Sequence, residues 1–345
     1  MKHKLVAAGF AIFSVIMPIK AMAATFSQIV GFGDSLLDTG NTSSLTRDAI
    51  ALGLPLPFPI PPSPPYFNGR FSNGPVWIEQ LASGLGITYN PATNFAIGGA
   101  TTGTNNTLLD NLIPGLPLPG NPLGLPGLQT QVNGFVTANP QADANALYVI
   151  WAGANDYLGD DVTNPAVPVS NLANAVTSLS SVGARNFLVV NLPDLGQLPG
   201  TRRNETVSTL LDLLTVGHNA GLADTLNTLG RQPGINITAL DANSLFRRAV
   251  TNPGEFGFTN VTDACLNLTA QTLCSNPNQF LFWDNLHPTT QGHSFIAQAA
   301  LSSLRSSTSV PEPSTAVGML ALAGLGAAGV LKRQRKKPTL SPKNL

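Results

Sequence analysis

Few residues in this chain are equipped to attack a carbonyl or move a proton, and their surroundings separate them. Ser35 follows Gly33-Asp34 at the end of the apolar stretch Ile29-Val30-Gly31-Phe32. Parallel α/β sheets place their chemistry at the carboxyl ends of strands, and a small hydroxyl nucleophile fits such a turn. A serine nucleophile needs a base. The chain has four histidines. His3 lies in a leader-like start, while His218 and His293 fall in helical stretches, where packed or solvated imidazoles are the ordinary reading. His287 differs, because Pro288 disfavours helix for the residue before it. Asp284 precedes His287 by one turn, and a carboxylate that orients an imidazole is what a general base requires. Taken alone, such a pair beside a helix start is more often structural.

Two glycine-bearing segments supply candidate oxyanion donors. Gly153-Ala154-Asn155-Asp156 follows the strongest apolar run of the chain, so the Asn155 amide can point into the space above a sheet. A plain turn asparagine is the competing reading. Asn94-Phe95-Ala96-Ile97-Gly98-Gly99-Ala100 is a short strand opening into glycine, which lets backbone approach a ligand and offer an N–H. Other motifs fail. Leu36 stands where a dinucleotide fingerprint needs its third glycine, and Leu37 replaces the last glycine of a G-x-S-x-G elbow.

The elements that must position these residues alternate between strand and helix. Apolar runs of strand length occur at Ile29–Phe32, Ala146–Trp151, Asn186–Val190 and Ile235–Leu240. Their continuity suits parallel strands covered on both faces. Helical stretches are expected from Asn73 to about Ser83, Leu128–Thr137, Asn171–Ser181, Asn204–Leu229 and Thr289 to about Leu304. The pattern predicts a parallel three-layer α/β/α sandwich. Two proline-rich stretches, Leu52–Pro65 and Ile113–Gly127, read as loops, since proline lacks a donor and fixes φ. They are candidates to border the site and favour acyl chains; plain surface loops fit their composition equally well.

Together the four segments resemble the GDSL, or SGNH, family of serine esterases and lipases, over nearly the whole stretch from Phe32 to Leu304. Gly33-Asp34-Ser35-Leu36 matches its nucleophile block, Gly153-Ala154-Asn155-Asp156 its asparagine block and Asp284-Asn285-Leu286-His287 its acid–base block. The resemblance implies a flavodoxin-like, mostly parallel sheet and a Ser35–His287–Asp284 triad working without a cofactor. It implies oxyanion donors from the Ser35 N–H, the Gly98 N–H (with Gly99 beside it) and the Asn155 side chain. The implied activity is hydrolysis of carboxylic or lipid esters through an acyl-enzyme. An acyltransferase on the same site, or a matrix or binding protein that has lost turnover, are the alternatives.

The ends point outside the cytoplasm. Lys2 and Lys4, the apolar Leu5–Met17 and the A-x-A site Ala21-Met22-Ala23 make 1–23 a signal peptide for a signal peptidase. Val310-Pro311-Glu312-Pro313, the apolar Ala316–Leu331 and the basic cluster 332–337 resemble the PEP-CTERM signal of Gram-negative bacteria, which an exosortase-type enzyme is thought to remove. This predicts a hydrolase domain at 24–308, a sorting signal with a short membrane segment at 309–337, a tail at 338–345, and an extracellular or cell-surface destination. Nine of the 18 basic residues sit in those ends, leaving nine arginines and no lysine between Ala24 and Pro313 against all 18 acidic residues. Such a body has no clustered cations for phosphate, which excludes nucleic acid as a partner. Cys265 and Cys274 fit a small disulfide-closed loop in an oxidising compartment, with two buried free thiols as the competing reading. Two cysteines and three body histidines at these spacings exclude a structural zinc site.

Overall fold

Four short strands have apolar residues on both faces, and that is what forces helices onto each side of them. In the computed structural model they are β1 (Ile29–Gly33), β2 (Leu147–Trp151), β3 (Asn186–Val190) and β4 (Asn236–Leu240). They lie parallel in the order β1-β2-β3-β4, with Gly31 opposite Val149 and Val149 opposite Leu188. The structure describes residues 26–109, 121, 123–268 and 270–308, with backbone alone at 307 and 308. Among these, residues 26–307 fall in one compact unit. The expected signal peptide, sorting signal and tail lie outside the described residues.

The segment after Thr93 extends the sheet past β1. Asn94 bridges Gly31 in parallel, the Phe95 N–H donates to Gly31 O at 2.8 Å, and the Ile97 N–H to Gly33 O at 3.1 Å. Counted as the second strand in the chain, it gives the flavodoxin-like order, with the reversal of connection direction between β1 and β2. That is where the ends carrying Ser35 and Asn155 emerge.

The alternation of side chains along each strand splits the core into two layers. On one face Leu147, Val149, Trp151, Leu188 and Val190 pack with α2 (Trp77–Gly84), α7 (Ala242–Thr251) and α8 (Thr290–Thr308). On the other, Val30, Phe32, Tyr148, Ile150 and Val189 pack with α3 (Leu128–Ala138) and α5 (Ala166–Ser181). The 25-residue α6 (Glu205–Leu229) serves both, giving Leu211 and Leu214 to the first layer and Leu222 and Leu226 to the second. Two helices were not expected. They are α1 (Asn41–Ala51), which buries Thr42, Ser43 and Thr46 in place of large apolar residues, and α7, capped by Asp241 accepting from Ser244 N–H. A further short helix, α4 (Ala154–Leu158), begins right after β2.

A minor β layer braces the acid–base turn. Strand β5 (Asn260–Ala264) pairs with β8 (Phe280–Phe282), and β6 (Leu266–Asn267) forms a hairpin with β7 (Thr272–Leu273), closed by the Cys265–Cys274 disulfide. The Leu266 N–H donates to Trp283 O at 2.7 Å, one residue before Asp284. Cys265, Leu266, Trp283 and Tyr66 share a small apolar cluster. Replacing both cysteines by serine is expected to lower the unfolding free energy by about 2–4 kcal/mol, the usual contribution of such a cross-link. Urea titration of the oxidised and serine forms measures it; coincident midpoints would show that the bridge contributes nothing.

Candidate active site

The nucleophile turn is fixed from both sides of the β1 end. Gly33 has φ +153°, and a Cβ there would lie 2.0 Å from the Trp151 carbonyl oxygen, so no other residue fits against β2. The buried Gln131 side chain of α3 clasps the same residue, accepting from Gly33 N–H at 2.9 Å and donating to Gly33 O at 2.9 Å. The chain then turns as the Leu37 and Asp38 N–H groups donate to Asp34 O, each at 3.1 Å. Ser35 stands at the head of this turn, its Oγ 2.8 Å from His287 Nε2.

His287 and Asp284 occupy one tight turn between β8 and α8. Asp284 Oδ1 accepts from the Leu286 and His287 N–H groups at 2.8 and 2.7 Å, and Oδ2 lies 2.8 Å from His287 Nδ1. Tyr66 donates its hydroxyl to Oδ2 at 2.8 Å. Burial opposes charge on this carboxyl, but the His287 ring and the hydrogen bonds from it and the two backbone groups outweigh burial and hold it below the usual carboxylate range. An ionised Asp284 fixes the tautomer with the proton on Nδ1, which leaves Nε2 to accept from Ser35. The Phe71 ring tilts against the imidazole at 5.1 Å and closes its other side.

At the end of β2, Gly153 has φ +131°, and a Cβ there would meet the His218 ring at 2.9 Å. His218 is fully buried, with Nδ1 2.9 Å from the Tyr157 hydroxyl on α4, and burial pushes its pKa down to about 4. It is a neutral wedge beneath the helix that carries Asn155. Asn155, which lines the cavity beside Ser35, donates from Nδ2 to Ala100 O at 3.0 Å, and Asp156 accepts from Thr102 N–H and Oγ1 at 2.9 and 2.6 Å. His293 is buried on α8, and burial pushes its pKa down to about 3. Neither histidine joins the Ser35 relay.

One expected donor is turned away. The Gly98 N–H donates to Thr42 Oγ1 at 2.8 Å and to Asp38 Oδ2 at 3.1 Å, so it faces inward and is not free for an oxyanion. Gly98 is instead a packing position, since a Cβ there would lie 2.4 Å from the Phe71 ring. The next N–H, that of Gly99, has no acceptor among the described residues, and neither does that of Ser35. Gly99 has φ +78°, a conformation glycine adopts without strain. The buried Asp38 carboxylate organises this arrangement: besides Gly98 it accepts from the Gly40, Asn41 and Thr42 N–H groups and from the Thr42 hydroxyl. Tyr66 and Gln131 were missed as site residues.

A cavity of about 50 Å³ lies against Ser35, Asn155 and His287, walled by Leu158, Pro193, Leu195, Leu198, Phe246 and Leu286. Among the described residues, neither proline-rich stretch lines it. Leu56 and Ile60 of the first stretch and Leu125 of the second pack on Phe71 and Ile97 instead, behind the imidazole. The described residues of these loops therefore support the site from behind.

The model of the GDSL-like lipase/acylhydrolase family matches residues 29–300, and the chain belongs to that family. A PEP-CTERM protein-sorting motif matches 309–336, which marks the chain for export and sorting. Among the described residues no helix is long and apolar enough to cross a membrane, and the expected span at 316–331 lies outside them. The chain is 29% identical over 298 residues to the thermolabile hemolysin of Vibrio parahaemolyticus, covering 80% of this chain and 63% of that protein. It is 29% identical over 329 residues to the phosphatidylcholine-sterol acyltransferase of Aeromonas hydrophila, covering 81% and 91%, and 26% identical to GDSL esterase/lipase 5 of Arabidopsis thaliana, covering 77% and 80%. Among solved structures, a lipolytic G-D-S-L family protein from Veillonella parvula aligns over 80% of this chain and 96% of its own, with a TM-score of 0.42 and 14% identity.

Burial pushes the Asp34 carboxyl, beside the nucleophile, from its ordinary 3.8 up to about 7. Between those values the folded protein binds a proton that the unfolded chain releases, so stability falls as pH rises through the window. Asp34→Asn keeps an acceptor for the Leu36 N–H, which bonds Asp34 Oδ1 at 3.0 Å, and removes the ionisable group. Thermal unfolding at about pH 4 and about pH 7 is expected to show a smaller loss of stability in the variant than in the parent.

Proposed function

We propose that the protein is an exported serine ester hydrolase in which Ser35, His287 and Asp284 act as a catalytic triad. The observation that carries this reading is the continuous relay from Ser35 Oγ through His287 Nε2 and Nδ1 to Asp284, with contacts of 2.8 Å on both sides of the ring. Ser35 Oγ attacks the ester carbonyl as His287 Nε2 takes its proton. The negative charge that forms on the carbonyl oxygen is held by the Ser35 and Gly99 N–H groups and the Asn155 amide. Collapse expels the alcohol, which receives the proton from Nε2. Water then attacks the acyl-enzyme, with His287 again as base, and releases the acid. The family match and the ester-cleaving names of several relatives support the same reaction class.

A second reading, transfer of the acyl group to an alcohol, is favoured by the similarity to an acyltransferase along 91% of that protein's length. Both readings share the first half-reaction. They part at the acceptor, so product analysis with and without an added long-chain alcohol separates them. The sorting motif supports a working location outside the cytoplasm, on the cell surface or beyond.

A fluorophosphonate probe is expected to label the folded protein at Ser35 and to leave Ser35→Ala unlabelled. Absence of labelling in the parent would sink the enzyme reading. Asn155→Ala should keep the label but lower kcat by about 10²–10³, the usual loss for one oxyanion donor. Gly98→Ala is expected to fail by misfolding, because its Cβ would strike Phe71.

A further inference from the structure

The cavity against Ser35 is too small for more than a few heavy atoms of substrate, at about 50 Å³. A second cavity lies directly behind its wall. Pro193, Leu198 and Phe246 form the far wall of the first, and the same three residues form the near wall of the second, of about 180 Å³. The second cavity continues along α7 to Val250 and Thr251 and is floored by Phe282. Its polar members are already engaged with each other or with neighbours. Arg247 Nε donates to Asp194 Oδ2 at 2.8 Å, Asn243 Nδ2 donates to Asp194 Oδ1 at 2.9 Å, and Gln197 Nε2 donates to Asp212 at 2.8 Å. An apolar space whose rim charges are paired has little to offer a polar ligand and favours hydrocarbon.

We propose that this second cavity is the binding subsite for a hydrocarbon chain of the substrate ester, with Phe246 as the residue between the two chambers that sets chain length. The proposal rests on the ester hydrolase reading and adds where the chain lies. Phe246 is buried, and its ring centroid is 6.2 Å from that of Phe282 in the floor. A chain leaving the carbonyl at Ser35 passes Leu198 and Phe246 to reach Val250, which stands exposed at the open end. The chain can belong to the acyl or the alcohol side of the ester, since both are hydrocarbon.

The test is a chain-length profile taken in two series, acyl length varied on a fixed p-nitrophenol and alcohol length varied on a fixed acetyl group. Val250→Trp fills the outer cavity from its exposed end. It should lower the ratio of decanoyl to acetyl kcat/KM, or the corresponding alcohol ratio, by about tenfold or more, the effect of losing a few buried methylenes. The series that responds assigns the chain. Phe246→Leu, which widens the passage, should move the optimum toward longer chains in the same series. Leu52→Trp is the control, because Leu52 is 87% exposed and lines neither cavity. Unchanged ratios in both series for Val250→Trp, or an equal shift in the Leu52 control, would overturn the proposal. Binding of a fluorescent fatty acid to Ser35→Ala and to Ser35→Ala/Val250→Trp gives a readout without turnover: weaker binding in the double variant supports the subsite, and equal binding overturns it. A parent that binds the probe but hydrolyses no ester would fail the enzyme reading alone.

Discussion

A buried, ionised carboxylate is the constraint on which the site depends. Asp284 is closed off from water, and a charge there is tolerated only if its oxygens are met by donors. Those donors come from two distant parts of the chain: the tight turn itself, through the Leu286 and His287 N–H groups and the imidazole, and the Tyr66 hydroxyl at the end of the first proline-rich stretch. Satisfying Asp284 therefore positions His287 and pulls the proline-rich stretch against the disulfide-closed hairpin. Asp38 also collects donors, and its oxygens tie the nucleophile turn, the start of α1 and the Gly98 peptide into one knot, although there burial outweighs the donors and pushes the carboxyl up from its usual range. Two buried carboxylates thus set the two halves of the site, while the sheet supplies the platform between them.

Asp34 shows a different solution to the same problem. It has few donors, so its carboxyl stays protonated up to about pH 7 in place of being neutralised by partners. Carboxyls with differing donor sets around one serine give one ionised group beside the His287 imidazole and one kept neutral beside Ser35. Environment alone assigns these roles, since the residue type is the same.

The sheet was legible because burial on both faces writes an uninterrupted apolar run, as in Ala146–Trp151, and the alternation of runs with helical stretches gave the layer order. Ser35, Asn155 and His287 were legible because each follows a strand or precedes a helix at a break. Helix α1 was not, because its inward face carries Thr42, Ser43 and Thr46, whose hydroxyls bond to other groups and leave no apolar period. Choosing between Gly98 and Gly99 was equally out of reach. Which of two adjacent N–H groups is engaged depends on hydrogen bonds to Asp38 and Thr42, 60 and 56 residues earlier. The chain-binding cavity lies between α7 and the Pro193–Leu198 segment, and no local pattern marks such a junction.

The contact between Ser35 and His287 spans 252 residues of sequence. A chain delivered across a membrane from its N-terminus presents the serine first and its base near the very end. Through most of that passage the two side chains cannot meet. The Ser35–His287 contact can form only when the turn before the last helix has docked, so the topology ties completion of this pair to the arrival of nearly the whole domain.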